Sequence, residues 1–307
     1  MHLFDGHNDL LYRMWQCGTD PAHDGAMARG LASVDGHLDL TRASAAGFTG
    51  GLFALFIPNS AAGEELSGGQ PPSYEDASVI CADMLALADE MVARFGDNIA
   101  KCLTVSDILA AQDASKIAMV LHIEGAEMIS ADCHEIEMLY QRGIRSLGPL
   151  WSRPNLFGEG VPLQFPGSPD QGDGLSDAGK RLVRTCNHYG IMLDLSHLNE
   201  KGFWDIAKLS DKPLVATHSN VHRLCPSPRN LTDRQLDAIA ESGGIVGLCF
   251  ATGYLRTDGE KNPDTSLALL VQHCDALIET LGEGGVALGS DFDGACIPNA
   301  IGDCTGM

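Results

Sequence analysis

The segment Asp5-Gly6-His7-Asn8-Asp9 places an imidazole and a carboxylate two positions apart near the start of the chain. Side chains alternate along an extended strand, so His7 and Asp9 are expected on one side of it. They would form two prongs of a site for a hard-to-borderline metal ion. Alone, such a pair is more often a solvated strand end than a ligand pair. The feature then repeats. Later apolar runs close on Glu124 in Val120-Leu121-His122-Ile123-Glu124, and on His197 in Leu193-Asp194-Leu195-Ser196-His197. Two more close on His218 in Val215-Ala216-Thr217-His218, and on Asp291 in Ala287-Leu288-Gly289-Ser290-Asp291. One histidine after an apolar run is ordinarily a satisfied core residue, but five such strand ends call for a common cause.

Charge supplies that cause. Asp9, Glu124 and Asp291 in one pocket would resist ionising together, because like charges raise one another's pKa. Two divalent cations balance three carboxylates and one hydroxide. Imidazole and carboxylate donors without cysteine suit zinc in an open catalytic site. Two ions about 3.5–4 Å apart share such ligands and generate a nucleophile near neutral pH.

Something must bring these strand ends together. Short apolar, often β-branched runs fall at residues 4–9, 51–57, 117–124, 144–151, 191–197, 214–218, 244–250 and 286–291. Continuous rather than alternating hydrophobicity marks strands covered on both faces, as in parallel sheets. Helical spacing occupies residues 77–95, 136–142, 177–188, 201–208, 232–241 and 265–281, with start signals at Ser176-Asp177 and Thr232-Asp233. Eight strands alternating with helices predict one (β/α)8 TIM-like barrel spanning residues 1–307 as a single domain. A doubly wound sheet would carry a glycine fingerprint at its first turn, and none is found. In a barrel, the Gly- and Pro-rich stretches 59–74 and 155–174 follow strands and shape the mouth. The closing helix expected after the eighth strand has no counterpart in residues 292–307, so either the chain is truncated or the barrel lacks that helix.

The 307 residues are 44% hydrophobic, ample for one large core, yet no run approaches the length of a membrane span. The ten cysteines form no Cys-x-x-Cys pair and several sit in apolar runs, the usage of a reducing compartment. Met1 to Asp5 lack the basic and apolar stretches of a leader, so the expected address is cytoplasmic. A formal charge of −21 repels phosphate backbones and anionic lipid, which argues against nucleic-acid and membrane partners.

Taken in order, Asp5-Gly6-His7-Asn8-Asp9, Glu124-Gly125, Asp194-Leu195-Ser196-His197, His218-Ser219-Asn220, Arg229-Asn230-Leu231 and Ser290-Asp291-Phe292-Asp293-Gly294 resemble the membrane (renal) dipeptidase family. These are zinc metallopeptidases, a TIM-like-barrel branch of the amidohydrolase superfamily. The resemblance implies that His7 and Asp9 hold one zinc, His197 and His218 the other, and Glu124 bridges them. Asp291 matches the family's acid/base, and Arg229 matches the residue that grips the substrate's free carboxylate, for which a guanidinium fork is suited. The implied reaction is hydrolysis of a dipeptide amide bond by a bridging hydroxide, with Asp291 shuttling the proton to the leaving amine. A D-residue on the carboxyl side and a homodimer are further family expectations. Zinc is the implied metal, and other divalent ions fit the same donors.

Trp151 departs from the pattern. The family commonly has a substrate-binding histidine there, whereas indole offers one N–H and no positive charge, so a different substrate range is expected. His122 shares the face of Glu124 and is read as a supporting hydrogen-bonding residue, with Asp194 and Asp293 orienting ligands from behind. His222 is left outside the site. Two rival readings stand beside the dipeptidase. A cyclic-amide or lactone hydrolase of the same superfamily would favour a His-x-His first strand and a lysine in the fourth, and this chain has neither. A non-catalytic metal-binding homologue would have no need of Asp291.

Overall fold

The computed structural model describes residues 3–17, 24–32, 35–59 and 71–307. Eight strands make the barrel: β1 (Leu3–Asn8), β2 (Phe48–Phe56), β3 (Ile117–Glu124), β4 (Ile144–Gly148), β5 (Met192–Leu193), β6 (Val215–Ser219), β7 (Ile245–Cys249) and β8 (Val286–Gly289). All pair in parallel, in the order β5-β4-β3-β2-β1-β8-β7-β6. The two ends of that path meet through a single parallel bridge, Asp194 to Val215. Around the ring the strands therefore follow chain order, the topology of a TIM-like barrel.

Every residue of β3 is buried, which explains the unbroken apolar run of Ile117-Ala118-Met119-Val120-Leu121. It pairs with β2 without a break from Gly50–Ala118 to Phe56–Glu124. The helices Tyr74–Phe95, Glu135–Arg142, Asp177–Tyr189, Glu200–Leu209, Asp233–Glu241 and Leu267–Leu281 lie within a few residues of the periodic segments. Ser176 caps its helix as expected, its hydroxyl accepting from the Gly179 amide at 3.0 Å.

The differences from expectation are local. β5 is two residues long rather than spanning 191–197, because the chain turns at Ser196 and His197 and leaves the ladder. β1 stops at Asn8, and Asp9 sits at the N-cap of a helix, Leu10–Trp15, whose residues are all buried. Six uniformly buried residues carry no amphipathic signal. Helices Leu40–Ala46 and Val105–Asp113 and the short strand Ile99–Lys101, which pairs with β3, also went unread. The loop expected at 59–74 lies largely in residues 60–70, outside the described residues. After β8 the described chain forms turns and a short 3₁₀ segment, Cys304–Gly306. This segment docks where the Cys304 amide donates to the His37 carbonyl at 2.9 Å. All ten cysteines are free thiols. No helix among the described residues is long and apolar enough to cross a membrane.

One irregularity shapes the barrel's interior. Between the pairs Val246–Ala216 and Leu248–Ser219, β7 contributes only Gly247 while β6 contributes Thr217 and His218. That is a β-bulge, a device that re-aims side chains. It throws the Thr217 carbonyl inward, into space that side chains from three other positions would fill. A Cβ on Gly6 would lie 2.5 Å from that oxygen, and Cβ atoms on Gly247 or Gly289 would overlap it. Glycine at these positions lets β6 lean across the barrel, so that the His218 and His7 rings lie 4.0 Å apart between centroids.

Gly247→Ala is therefore expected to cost about 3 kcal/mol or more, because backbone rather than a flexible side chain must yield. Gly284→Ala meets nothing within 4 Å and should change stability by less than about 0.5 kcal/mol. Denaturant unfolding of the two variants checks the contrast. Equal stability would remove the close approach of β6 as a constraint.

Candidate metal centre and active-site cavity

His7 lies in β1, Glu124 ends β3, His218 lies in β6, and His197 and Asp291 follow β5 and β8. All five project at the C-terminal ends of parallel strands, the face where barrel sites form. Glu124 stands at the centre. Its Oε2 is 3.8 Å from His7 Nε2, while its Oε1 is 2.9 Å from His197 Nε2 and 3.5 Å from His218 Nε2. His7 Nε2 is also 3.2 Å from Asp9 Oδ2, so these two meet although Asp9 lies one residue beyond the strand. His197 and His218 turn their Nε2 atoms toward each other at 3.1 Å. Donors about 2.0–2.1 Å from one tetrahedral ion sit roughly 3.3 Å apart, so this spacing fits an ion between them.

The hydrogen bonds behind the rings favour the same reading. Thr217 Oγ1 donates to Asp194 Oδ2 at 2.7 Å, since a carboxylate only accepts. With its proton so used, the 2.9 Å contact to His218 Nδ1 must be received from the ring. The proton is placed on Nδ1 and the Nε2 lone pair is left facing Glu124, the arrangement of a metal-ligating histidine. Ser152 Oγ lies 2.7 Å from His197 Nδ1 and holds that ring from behind. Asp9 Oδ1 is buried with no hydrogen-bond partner. Above it, a Cβ on Gly294 would overlap Asp9 Oδ2 and lie 2.7 Å from Asp291 Oδ1. The absent side chain keeps open a cradle over both carboxylates. Oxygen atoms of Asp9 and Asp291 and a His7 nitrogen all lie within 4.8 Å of one another. The donor set fits two divalent cations.

Electrostatics make the same point. Burial works against a charged His7, but the Glu124 and Asp9 carboxylates overcome it and lift its pKa to about 10. Burial pushes His197 and His218 well down, helped by the charges of Arg229 and His7. Burial also pushes Glu124 well up and Asp9 up. Burial thus suppresses charge on every one of these groups except His7, which the carboxylates hold protonated.

His197, Asp291 and Asp293 adopt φ of 69°, 59° and 67°. Five non-glycine residues among those described have positive φ, and three of them stand here. Such strain gathers where the surrounding structure imposes it for function. Asp291 is held by its amide, which donates to the His7 carbonyl at 3.1 Å, and by the Cys249 thiol, which donates to Oδ2 at 3.5 Å. The Cys249 backbone is itself gripped by both ends of the Asn220 amide, at 3.1 and 3.0 Å.

The other sequence candidates fall into place around a cavity of about 520 Å³, whose wall includes Asp9, Glu124, His197, Asp291, Trp151 and Tyr254. Trp151 packs its ring 5.2 Å from Phe56 and 5.9 Å from His197. Arg229 does not line the cavity. It is buried behind Tyr254, its guanidinium carbon 5.3 Å from that ring, with Nη2 donating to the His218 carbonyl at 3.0 Å. Its Nε has no hydrogen-bond partner. His122 stays behind the site, 2.8 Å from Ser146 Oγ, and burial holds its pKa down to about 3. Asp194 reaches His218 only through Thr217. Asp293 pairs with Arg13 at 3.1 Å rather than with a ligand. His222 lies 2.9 Å from the Gly167 carbonyl, outside the cavity wall. Sequence reasoning missed Ser152, Thr217, Cys249, Tyr254 and the supporting role of Asp5. Only Thr217, immediately before His218, had a positional signal.

The family model for membrane dipeptidase (peptidase family M19) matches residues 1–306. An uncharacterized protein in the PQQ-III 3′ region of Acinetobacter calcoaceticus is 42% identical, over 90% of this chain and 89% of its own. A metallo peptidase from Rhodobacter sphaeroides, solved with a phosphinate mimic of the dipeptide L-Ala-D-Ala, is 45% identical with a TM-score of 0.92. That match covers all of this chain and 90% of the other. A second solved structure, the metallo peptidase called dipeptidase AC, of family M19, is 46% identical with a TM-score of 0.92 over all of this chain and 89% of that one.

Two predictions follow from the geometry alone. Gly294→Ala should weaken divalent-metal binding by about tenfold or more, measured by titrating zinc into metal-depleted protein. An unchanged affinity would mean that the cradle is not where an ion sits. His7, with its pKa lifted to about 10, carries a proton at neutral pH and must shed it to become a ligand. Zinc binding at pH 7.5 should therefore release at least one proton and tighten as pH rises. Calorimetry in two buffers of different ionisation enthalpy reads the proton count, and a count of zero would show that His7 is not protonated before the metal binds.

Proposed function

The chain belongs to the membrane dipeptidase family, metallo-dipeptidases that hydrolyse peptide bonds, and on that premise we propose that it is a zinc-dependent dipeptidase working with a pair of ions. The observation that carries this reading is the position of Glu124, with one carboxylate oxygen turned to His7 and the other to the His197–His218 pair. We assign His7 and Asp9 to one zinc, His197 and His218 to the other, and Glu124 to both. When bound, such ions polarise a carbonyl and lower the pKa of a shared water toward neutrality.

The chain's own residues do the rest. Asp291 is the proton carrier. It stands beside Asp9 at the cavity wall, held by its amide and by the Cys249 thiol, and transfers the nucleophile's proton to the departing amine. We assign recognition of the dipeptide's free carboxylate to Arg229, whose charge would act from behind Tyr254 rather than from the wall. Its Nε is unpartnered and its charge acts on Glu124, His197 and Tyr254, three residues of the cavity wall. Fixing that carboxylate sets the distance to the scissile bond and favours two-residue substrates. Trp151 and Phe56 form an apolar side of the cavity, which limits the side chain placed there. The relative from Rhodobacter sphaeroides binds a mimic of L-Ala-D-Ala, which supports a D-residue on the carboxyl side. A cyclic-amide hydrolase is the weaker reading, since β4 holds no lysine. Ten free thiols support a cytoplasmic address, and a homodimer without nucleic-acid or membrane partners completes the proposal.

Metal-depleted protein reloaded with zinc should release two amino acids from L,L- or L,D-dipeptides, with no release before reloading. Asp291→Asn should retain both ions while kcat falls by about 10²–10⁴. Metal analysis and steady-state kinetics on the same preparation check both parts. A fully active Asp291→Asn would end its assignment as proton carrier.

A further inference from the structure

The charges on the cavity wall do not all find partners. The charged lining residues are Asp9, Glu124, Asp291, Asp293 and Lys261. Asp293 is answered by Arg13 at 3.1 Å, and the other three carboxylates belong to the proposed metal and proton-transfer machinery. Lys261 is left. It is the one cation in the wall, and no ion pair among the described residues engages it. Two of its acidic neighbours are otherwise occupied. Asp258 is taken by Arg256, and Asp264 Oδ1 accepts from Asn299 Nδ2 at 2.9 Å.

The backbone carrying Lys261 is fixed. It belongs to the loop that follows β7 and also supplies Ala251, Thr252, Gly253 and Tyr254 to the same wall. The loop turns where the Asn262 amide donates to the Glu260 carbonyl at 3.0 Å, and the Asp258 carboxylate receives the Glu260 amide at 3.0 Å. The Phe165 ring, from the other long loop, packs over Gly259 in space a side chain would need. The lysine stem runs along Gly253, with Cγ 3.6 Å from where a Cβ there would be. The stem is thus anchored along the loop, and the exposed lysine borders the cavity.

We infer that Lys261 forms a subsite for a carboxylate on the substrate's side chain, so that dipeptides bearing aspartate or glutamate are preferred. This rests on the dipeptidase reading. There, Arg229 takes the main-chain carboxylate, and a second cation has only a side-chain anion to meet. Lys261 is exposed, so its attraction for a carboxylate is that of a surface ion pair, modest and screened by salt.

The test is a ratio of kcat/KM values, in which glutamate is compared with its neutral isostere glutamine. Zinc-loaded wild type is assayed on Ala-Glu, Ala-Gln, Glu-Ala, Gln-Ala and Ala-Ala, with the carboxyl-side residue in both configurations. At least one Glu/Gln pair should favour glutamate by about threefold to fivefold, the range of a partly exposed ion pair, with the difference in KM and fading as salt is raised. Lys261→Met should bring that ratio to about one, and Lys261→Glu should reverse it, with zinc content confirming intact sites. A wild-type ratio near one in every pair, or a ratio that survives Lys261→Met, overturns the subsite. If zinc-loaded wild type cleaves nothing in the panel, the dipeptidase reading falls and takes this inference with it. Cleavage without discrimination sinks the Lys261 inference alone.

Discussion

The mouth of this barrel holds more charge than a buried site can tolerate unaided. Glu124 and Asp9 are 4% and 3% exposed, and three imidazoles converge on them. Taking even one carboxylate out of water costs several kcal/mol unless a partner of opposite charge meets it in good geometry. Here the groups frustrate one another: burial lifts the carboxylates, the carboxylates lift His7, and burial empties His197 and His218. Divalent cations, bound as proposed, would resolve these conflicts together. They would replace the proton on His7, use the lone pairs on the neutral imidazoles, and neutralise the acids.

Two buried aspartates provide much of the restraint on these groups, and they use the same device on opposite sides of the barrel. Asp5 in β1 receives the Ser290 amide and hydroxyl, each at 2.7 Å, which pins the chain one residue before Asp291. Asp194, just past β5, receives the Ser196 and Thr217 amides at 3.0 and 2.8 Å. Those residues immediately precede His197 and His218. In each case a carboxylate takes amides that the ladder no longer satisfies where strands end. The price of a site built on strand ends is loose backbone, and these two side chains remove the looseness. They also allow His197 and Asp291 to hold a left-handed backbone that a free loop would relax.

What could be read in the sequence follows from this design. Parallel barrel strands are covered on both faces, so β2 and β3 appear as apolar runs, and a polar residue at the end of such a run stands out. His7, Glu124, His218 and Asp291 were legible for that reason. His197 stood out although β5 is only two residues long, since its apolar run continues into a buried turn. Helix Leu10–Trp15 and strand Ile99–Lys101 were not legible, the first being buried all round and the second too short for a period. The inward lean of β6 was hidden more deeply. It depends on Gly6, Gly247 and Gly289, which are far apart in the chain and meet only around the Thr217 carbonyl. Nor could spacing reveal that Arg229 would sit behind Tyr254 rather than in the wall.

The cavity is divided by polarity, and that division bears on how a substrate is oriented. The cavity wall carries Asp9, Glu124, Asp291 and the His197 ring together with the apolar Trp151, Phe56, Tyr12 and Leu163. The family resemblance leads one to expect an imidazole where Trp151 stands. An indole in that place packs against Phe56 and His197 and adds no positive charge. Positive potential toward a developing oxyanion must then come from the metal side of the cavity and from Arg229 behind it, whose charge reaches both His197 and Glu124. In the proposed reaction a substrate would be held between an apolar shelf and an electrostatic wall, with its scissile carbonyl turned to the wall. On that account Trp151 would govern which side chain fits, while the rate would be set by the charged residues.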